Sequence, residues 1–241
     1  MEAKRNYLFM PYQWLVVFPI LLVVTVLVAL STIVLSPLLP DSPVSYYPAR
    51  WWGRVFCRLL FVRVRLVGIE KLDPGQSYVF VLNHQGVFDI FAVYGWLPHI
   101  FKWMMKAELR RIPFVGKACE SAGHIFIDRS NPIAARCSIE KAEASLRNGV
   151  SLVVFPEGSR TRTGEMAQFK RGAFRIATDL SLPVVPVTIR GSYDRMPRNT
   201  LNVTPGTIQL LVHEPIVFDN PSSGNPVDLI QSTWEVIHSA L

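Results

Sequence analysis

Between Asn6 and Pro40 the chain carries no Asp, Glu, Lys, Arg or His, and Phe9 to Leu35 is almost wholly apolar. As a helix this run is about 40 Å long at ~1.5 Å per residue, more than the ~30 Å hydrocarbon core of a bilayer requires. Membrane contact is therefore the first constraint on everything that follows. The run is too long for the apolar region of a cleaved signal peptide, and no small-residue cleavage site follows it cleanly. Pro19 predicts a kink, or a tilt that the spare length absorbs. Ser36 to Pro48 contains four prolines and reads as a connecting turn.

A second helix follows, with Arg50, Arg54 and Arg58 on one stripe and Trp51, Trp52, Val55, Phe56, Leu59 and Leu60 over most of the rest. Paired Trp beside Arg directly after a membrane segment predicts a helix at the headgroup boundary, its arginines toward phosphates. The excess of Arg on that side of the first segment places the catalytic part in the cytoplasm, on an inner or plasma membrane or its equivalent. This holds whether the segment spans the bilayer or dips into one leaflet. The formal charge of +7 and mean hydropathy of +0.27 agree with an anionic lipid surface or a phosphorylated ligand. No zinc-finger spacing, RNP-like aromatic pattern or basic tract supports nucleic acid as a partner. Cys57, Cys119 and Cys137 are odd in number and scattered, which argues against a disulfide scaffold and for a reducing compartment; none has metal-ligand spacing.

Beyond residue 61 the pattern becomes α/β. Val62, Val64 and Leu66 alternate with Arg63 and Arg65 as on a half-exposed strand, and continuous apolar runs predict buried strands up to Leu82, from Ser151 to Phe155 and from Val184 to Ile189. Helices are expected over Phe88–Leu97, from Ser130-Asn131-Pro132 to Gly149, over Gly172–Asp179 and at the C-terminus, where Leu229, Ile230, Trp234, Ile237 and Leu241 share a face. The 241 residues thus divide into membrane-embedded or interfacial helices over 1–67 and one α/β domain over 68–241, a mostly parallel sheet covered by helices on both faces. In such sheets ligands bind beyond the carboxyl ends of the strands, so the polar sequences after Leu82, Ile127, Phe155 and Ile189 are expected to share one crevice.

The strand ending at Leu82 leads into Asn83-His84-Gln85-Gly86-Val87-Phe88-Asp89. On one regular helix His84 and Asp89 would sit roughly 140° apart, so the pair works best across a strand-loop-helix corner, with Asp89 in the first helical turn. An imidazole held by a carboxylate can accept a proton near neutral pH. A turn and helix-cap role satisfies the same residues equally well. After Phe155 the chain reads Pro156-Glu157-Gly158-Ser159-Arg160-Thr161, with Lys170-Arg171 opening the next helix. Glycine, hydroxyls and Arg at a strand end can bind a phosphate monoester, although a solvated basic loop has the same composition.

Taken together these blocks resemble the glycerolipid acyltransferases, the group that includes 1-acylglycerol-3-phosphate acyltransferase. Asn83-His84 with Asp89 looks like that family's N-H-x-x-x-x-D signature, and Phe155 to Thr161 its F-P-E-G-x-R-[ST] block. Gly123 to Arg129 resembles G-x-x-F-I-x-R, and Val185-Pro186-Val187 resembles V-P-V. Lys106-Ala107-Glu108-Leu109 with Ile112-Pro113 and Gly116 is similar to K-x-E-L-x-x-I-P-x-x-G. Five ordered blocks between Ser77 and Ile189 leave little room for coincidence.

The resemblance implies transfer of a fatty acyl group from acyl-CoA or acyl-acyl carrier protein to a lysophospholipid hydroxyl, without a cofactor or metal. Gln85 and the intact Gly158-Ser159-Arg160-Thr161 loop look most like the members that convert lysophosphatidic acid to phosphatidic acid. His84 with Asp89 is then the catalytic pair. Glu157, Gly158, Ser159, Arg160 and Thr161 hold the acceptor, with Arg129 assisting and Lys106 a candidate for the oxyanion. No G-x-S-x-G elbow is present and no Cys adjoins His84, so the acceptor hydroxyl itself must be the nucleophile. The alternatives are acylation of another lysolipid, such as a lyso-ornithine lipid, and a non-catalytic lipid-binding module at the membrane surface.

Overall fold

The computed structural model describes residues 9–128, 130, 137–138, 140, 145–198, 200–217 and 226–241. The expected helix from Ser130 to Gly149 lies largely outside these residues, as does Arg129. Helix α1 (Phe9–Leu38) is long and apolar enough to cross a membrane by length and composition. Its backbone widens into a π turn over Gln13–Val17, where the Phe18 N–H reaches back to the Gln13 carbonyl. Pro19 follows at once, and it has no N–H to offer the Leu15 carbonyl. The expected kink is absorbed as this wider turn.

Helix α2 (Pro43–Leu59) doubles back along α1, and Trp52 Nε1 donates to Thr25 Oγ1 at 2.9 Å. Leu15, Ile20, Leu22, Val23, Leu27, Leu30 and Val34 of α1 remain exposed, as do Val44, Tyr47 and Trp51 of α2. Apolar side chains left open in this number on one helix pair are more than a surface facing water ordinarily carries.

Among the described residues the sheet has seven strands: β1 (Val62–Val67), β2 (Val79–Leu82), β3 (Ile100–Lys106), β4 (Ile125–Ile127), β5 (Val150–Val154), β6 (Val184–Arg190) and β7 (Gly206–Val212). Their order is β1-β7-β6-β2-β5-β3-β4. Strands β2 to β6 run parallel to one another, with Val79 beside both Leu152 and Val184. Among the described strands only the β6–β7 ladder is antiparallel, so β1 and β7 run against the rest. The α/β expectation is therefore met, with one correction to the boundary at residue 67. Strand β1 is hydrogen-bonded into the sheet edge rather than belonging with the helices before it; its alternating arginines are the exposed face of an edge strand.

Strand β2 is buried on both faces, as its unbroken apolar run requires. Phe80 and Leu82 pack toward α1, α2 and α3 (Phe88–Trp96), sharing one core with Val17, Leu21 and Cys57. Val79 and Val81 face the opposite layer, where α5 (Gly172–Asp179) and α7 (Pro226–Ser239) supply Phe174, Ile176 and Ile237. The short helix α4 (Val115–Ser121) packs against α1 beside β3, and α6 (Ser192–Arg195) follows β6.

The arginine stripe of α2 departs from expectation. Arg50 Nη2 donates to the Pro98 carbonyl at 2.7 Å, and Arg54 Nε to the Gly95 carbonyl at 2.8 Å. These guanidiniums cap the carboxyl end of α3, where unpaired carbonyls and the helix dipole favour a cation. Arg58, the last of the stripe, is exposed.

Candidate active site

The carboxyl ends of β2, β5 and β6 meet where the sequence places its polar blocks. Asn83 closes the end of β2 by bonding the β6 backbone with both halves of its amide. Its Nδ2 donates to the Ile189 carbonyl at 2.9 Å, and its Oδ1 accepts the Ile189 N–H at 2.7 Å. Sequence reasoning gave Asn83 no role beyond the signature; here it fixes the point from which the His84 turn departs.

His84 is held on every side. Its Nδ1 lies 2.7 Å from Asp89 Oδ2, in the first turn of α3. The same oxygen accepts the N–H groups of Gln85 at 2.8 Å and Gly86 at 2.9 Å. A carboxylate can only accept, so Nδ1 carries a proton, and in the neutral ring that leaves the Nε2 lone pair for the cavity that His84 lines. The ring stacks on Phe155, centroids 3.9 Å apart and planes 10° from parallel. Its peptide N–H donates to Glu157 Oε1 at 2.6 Å, and its carbonyl accepts the Thr161 N–H at 2.9 Å. Gly86 is required here because a Cβ would meet Ser192 Oγ at 2.8 Å and the Ser192 carbonyl at 3.0 Å.

The Phe155–Thr161 loop is thus largely a clamp on His84. Glu157 is buried, and its second oxygen accepts the Ala167 N–H at 2.9 Å. Burial pushes its carboxyl pKa upward, opposed by the two backbone N–H groups. Thr161 is buried too, its Oγ1 accepting the N–H groups of Thr163 and Gly164. These two residues, expected to bind substrate, have oxygens that here accept backbone N–H groups, contacts that the motif alone does not specify. Gly158 turns the chain at φ 80°, a left-handed conformation that a side chain would strain, and so lets Ser159 and Arg160 reach the cavity.

That cavity measures about 730 Å³. It runs from His84, Phe155 and Gly158–Arg160 past Lys106 and Arg198, along the face of β3, to Thr25, Val28, Ala29 and Thr32 of α1. Arg198 was not foreseen, since it lies in a polar stretch with no motif. The far end holds Lys102, whose Nζ donates to Asp41 Oδ1 at 2.6 Å and to the Ala122 carbonyl at 2.8 Å. Beside it His124 is buried and its pKa pushed down to about 3, chiefly by burial and secondarily by Lys102. Its Nδ1 accepts the Trp103 N–H and its Nε2 pairs with the Tyr94 hydroxyl at 2.7 Å. Among the described residues, no group of three or more His, Cys, Asp or Glu side chains is placed to hold a metal ion.

The acyltransferase family model matches residues 63–190. A 1-acyl-sn-glycerol-3-phosphate acyltransferase of Cocos nucifera is 36% identical over 169 residues, 70% of this chain and 54% of the relative. The alpha form from Homo sapiens is 35% identical over 182 residues, 75% of this chain and 63% of the relative. The chain spans about half the length of the curated relatives it matches. Among solved structures, the 1-acyl-sn-glycerophosphate (LPA) acyltransferase PlsC from Thermotoga maritima superposes with a TM-score of 0.78 at 27% identity, covering 100% of this chain and 96% of that one.

Proposed function

The chain belongs to the acyltransferase family, and on that premise we propose that it moves a fatty acyl group from acyl-CoA or acyl-acyl carrier protein to the sn-2 hydroxyl of lysophosphatidic acid, giving phosphatidic acid. The observation that carries this reading is the imidazole of His84, fixed by Asp89 at 2.7 Å and opening on a cavity that is cationic at one end and mostly apolar along its length.

The reaction follows from those parts. Nε2 of His84 takes the proton of the acceptor hydroxyl as its oxygen bonds to the thioester carbonyl carbon. The resulting imidazolium is stabilised by Asp89. When the tetrahedral intermediate collapses, the C–S bond breaks and the sulfur leaves with that proton as a free thiol, while the ester remains on the lysolipid. A positioned base contributes ~10²- to 10⁴-fold, and a donor to the oxyanion contributes a comparable factor, about 10²- to 10³-fold. Lys106, at the carboxyl end of β3, is our candidate for that donor; Arg160, with Ser159 and Gly158, holds the acceptor phosphate. The apolar reach of the cavity suits an acyl chain.

Membrane placement follows from both ends of α1. Gln13, fully buried, donates to the Leu201 carbonyl at 2.6 Å and accepts the Val203 N–H at 2.8 Å. At the other end Asp41 pairs with Lys102. A helix tied at both ends to one globular domain lies across it, which supports burial in one leaflet; the cytoplasmic side of the proposal rests instead on the excess of Arg that follows the segment. The test is purified protein in mixed micelles with labelled oleoyl-CoA and a panel of lysolipids. Phosphatidic acid from lysophosphatidic acid is the expected product; labelling of a different lysolipid alone, or of none, removes the assignment.

A further inference from the structure

Arg198 lies outside the stretch that matches the family model, yet it lines the same cavity as His84, Ser159 and Arg160. The segment that carries it is pressed onto both halves of the site. Ser192 backs Gly86, the Tyr193 hydroxyl donates to the Arg162 carbonyl at 2.9 Å, and Arg198 Nη1 donates to the Arg160 carbonyl at 3.1 Å. Nearby Arg195 is spent on structure, bonding the carbonyls of Gly191 and Pro205. Arg198 is not: that one bond uses one of its five N–H donors. Among the described residues, neither Arg160 nor Arg198 has an ion-pair partner.

We propose that Arg198 is an acceptor-specificity residue, which together with Arg160 selects a lysolipid ending in a phosphate monoester over one whose phosphate is a diester. The proposal rests on the acyl-transfer reading above. A phosphomonoester with its second pKa near 6 carries about −1.5 to −2 charge at neutral pH and three terminal oxygens; a diester carries one charge and two. One guanidinium forks onto two oxygens and balances one charge. The third oxygen and second charge of the monoester need another cation at the same mouth. Arg198 supplies it, from a segment fastened to the loop that carries Arg160.

The experiment compares the parent protein with Arg198→Ala and Arg198→Gln, using oleoyl-CoA as donor. Lysophosphatidic acid is one acceptor; lysophosphatidylglycerol, a diester, is measured as acceptor or competitive inhibitor. Both variants are expected to raise the KM for lysophosphatidic acid about 10-fold or more. The diester constant and the KM for oleoyl-CoA should move far less. Gln can still donate to the Arg160 carbonyl but has no charge. Recovery of the parent KM by Arg198→Gln would therefore make Arg198 a loop fastener and overturn the proposal. Equal losses on both acceptors, or a rise confined to the KM for oleoyl-CoA, would overturn it as well. A parent that acylates no monoester lysolipid overturns the acyl-transfer reading and this one with it, whereas an active parent with unchanged variants overturns this one alone.

Discussion

Replacing Glu157 by Gln changes one oxygen to an NH2 and removes a charge with almost no change in volume. In the parent each carboxylate oxygen accepts one backbone N–H, from His84 at 2.6 Å and from Ala167 at 2.9 Å. The amide has one acceptor oxygen for these two donors, so one N–H is left facing an NH2 group. Hydrogen bonds to charged groups contribute about 1.5–3 kcal/mol net, and a buried donor left unpaired costs a similar amount. Glu157 is only 6% exposed, so solvent does not take over the lost bond. A destabilisation of about 2–3 kcal/mol follows. At ~2–4 °C per kcal/mol for a domain of this size, Tm should fall by roughly 5–10 °C. Since the peptide of His84 is one of the two groups released, the imidazole loses its placement, and a misplacement on the order of 1 Å costs about 100-fold in rate. Thermal unfolding in detergent, with kcat and KM for each substrate, tests both parts. If Tm and kcat match the parent while KM for the acceptor rises, the carboxylate contacts substrate and the clamp is refuted.

Three further outcomes are expected. His84→Ala should lower kcat by at least ~10²-fold while the protein stays folded and membrane-bound, and Asp89→Asn should approach that loss; retained turnover would remove the base role. Arg160→Ala should raise KM for a phosphorylated acceptor more than it lowers kcat, and an unchanged KM would put the phosphate elsewhere. His124 is held neutral to about pH 3 when folded but takes a proton near pH 6.5 when unfolded, so the unfolded state binds more protons between those values and stability falls on acidification. The contribution is about 1.4 kcal/mol per pH unit. His124→Gln should flatten the dependence of Tm on pH relative to the parent, and identical slopes would count against it.

Several elements could be read directly because their cause is local. The run Val79-Phe80-Val81-Leu82 has no polar face to expose, so a central strand buried on both sides was legible before any coordinates. Asp89 in a first helical turn followed from the spacing to His84 and the apolar helix beyond it. What escaped depended on distant partners. Periodicity put Arg50 and Arg54 on one face of α2, but the covering group, the carboxyl end of α3, lies some 40 residues away. The block around Glu157 marked a site without saying that its carboxylate faces the backbone of His84. Arg198 had no motif at all; only the turn after β6, which brings residues 192–198 back over the His84 corner, gives it a place there.

The wall contributed by α1 has a consequence for how turnover responds to its surroundings. Thr25, Val28, Ala29 and Thr32 line the cavity that His84 opens on, whereas Leu22, Val23, Leu27 and Leu30 of the same helix turn outward. If those outward side chains meet lipid, as the proposed function requires, lateral pressure acts one helix diameter from the space where the acyl chain would lie. On the proposed function, bilayer thickness and tail packing are expected to act as mechanical inputs to rate and chain preference, transmitted without any change in a charged group.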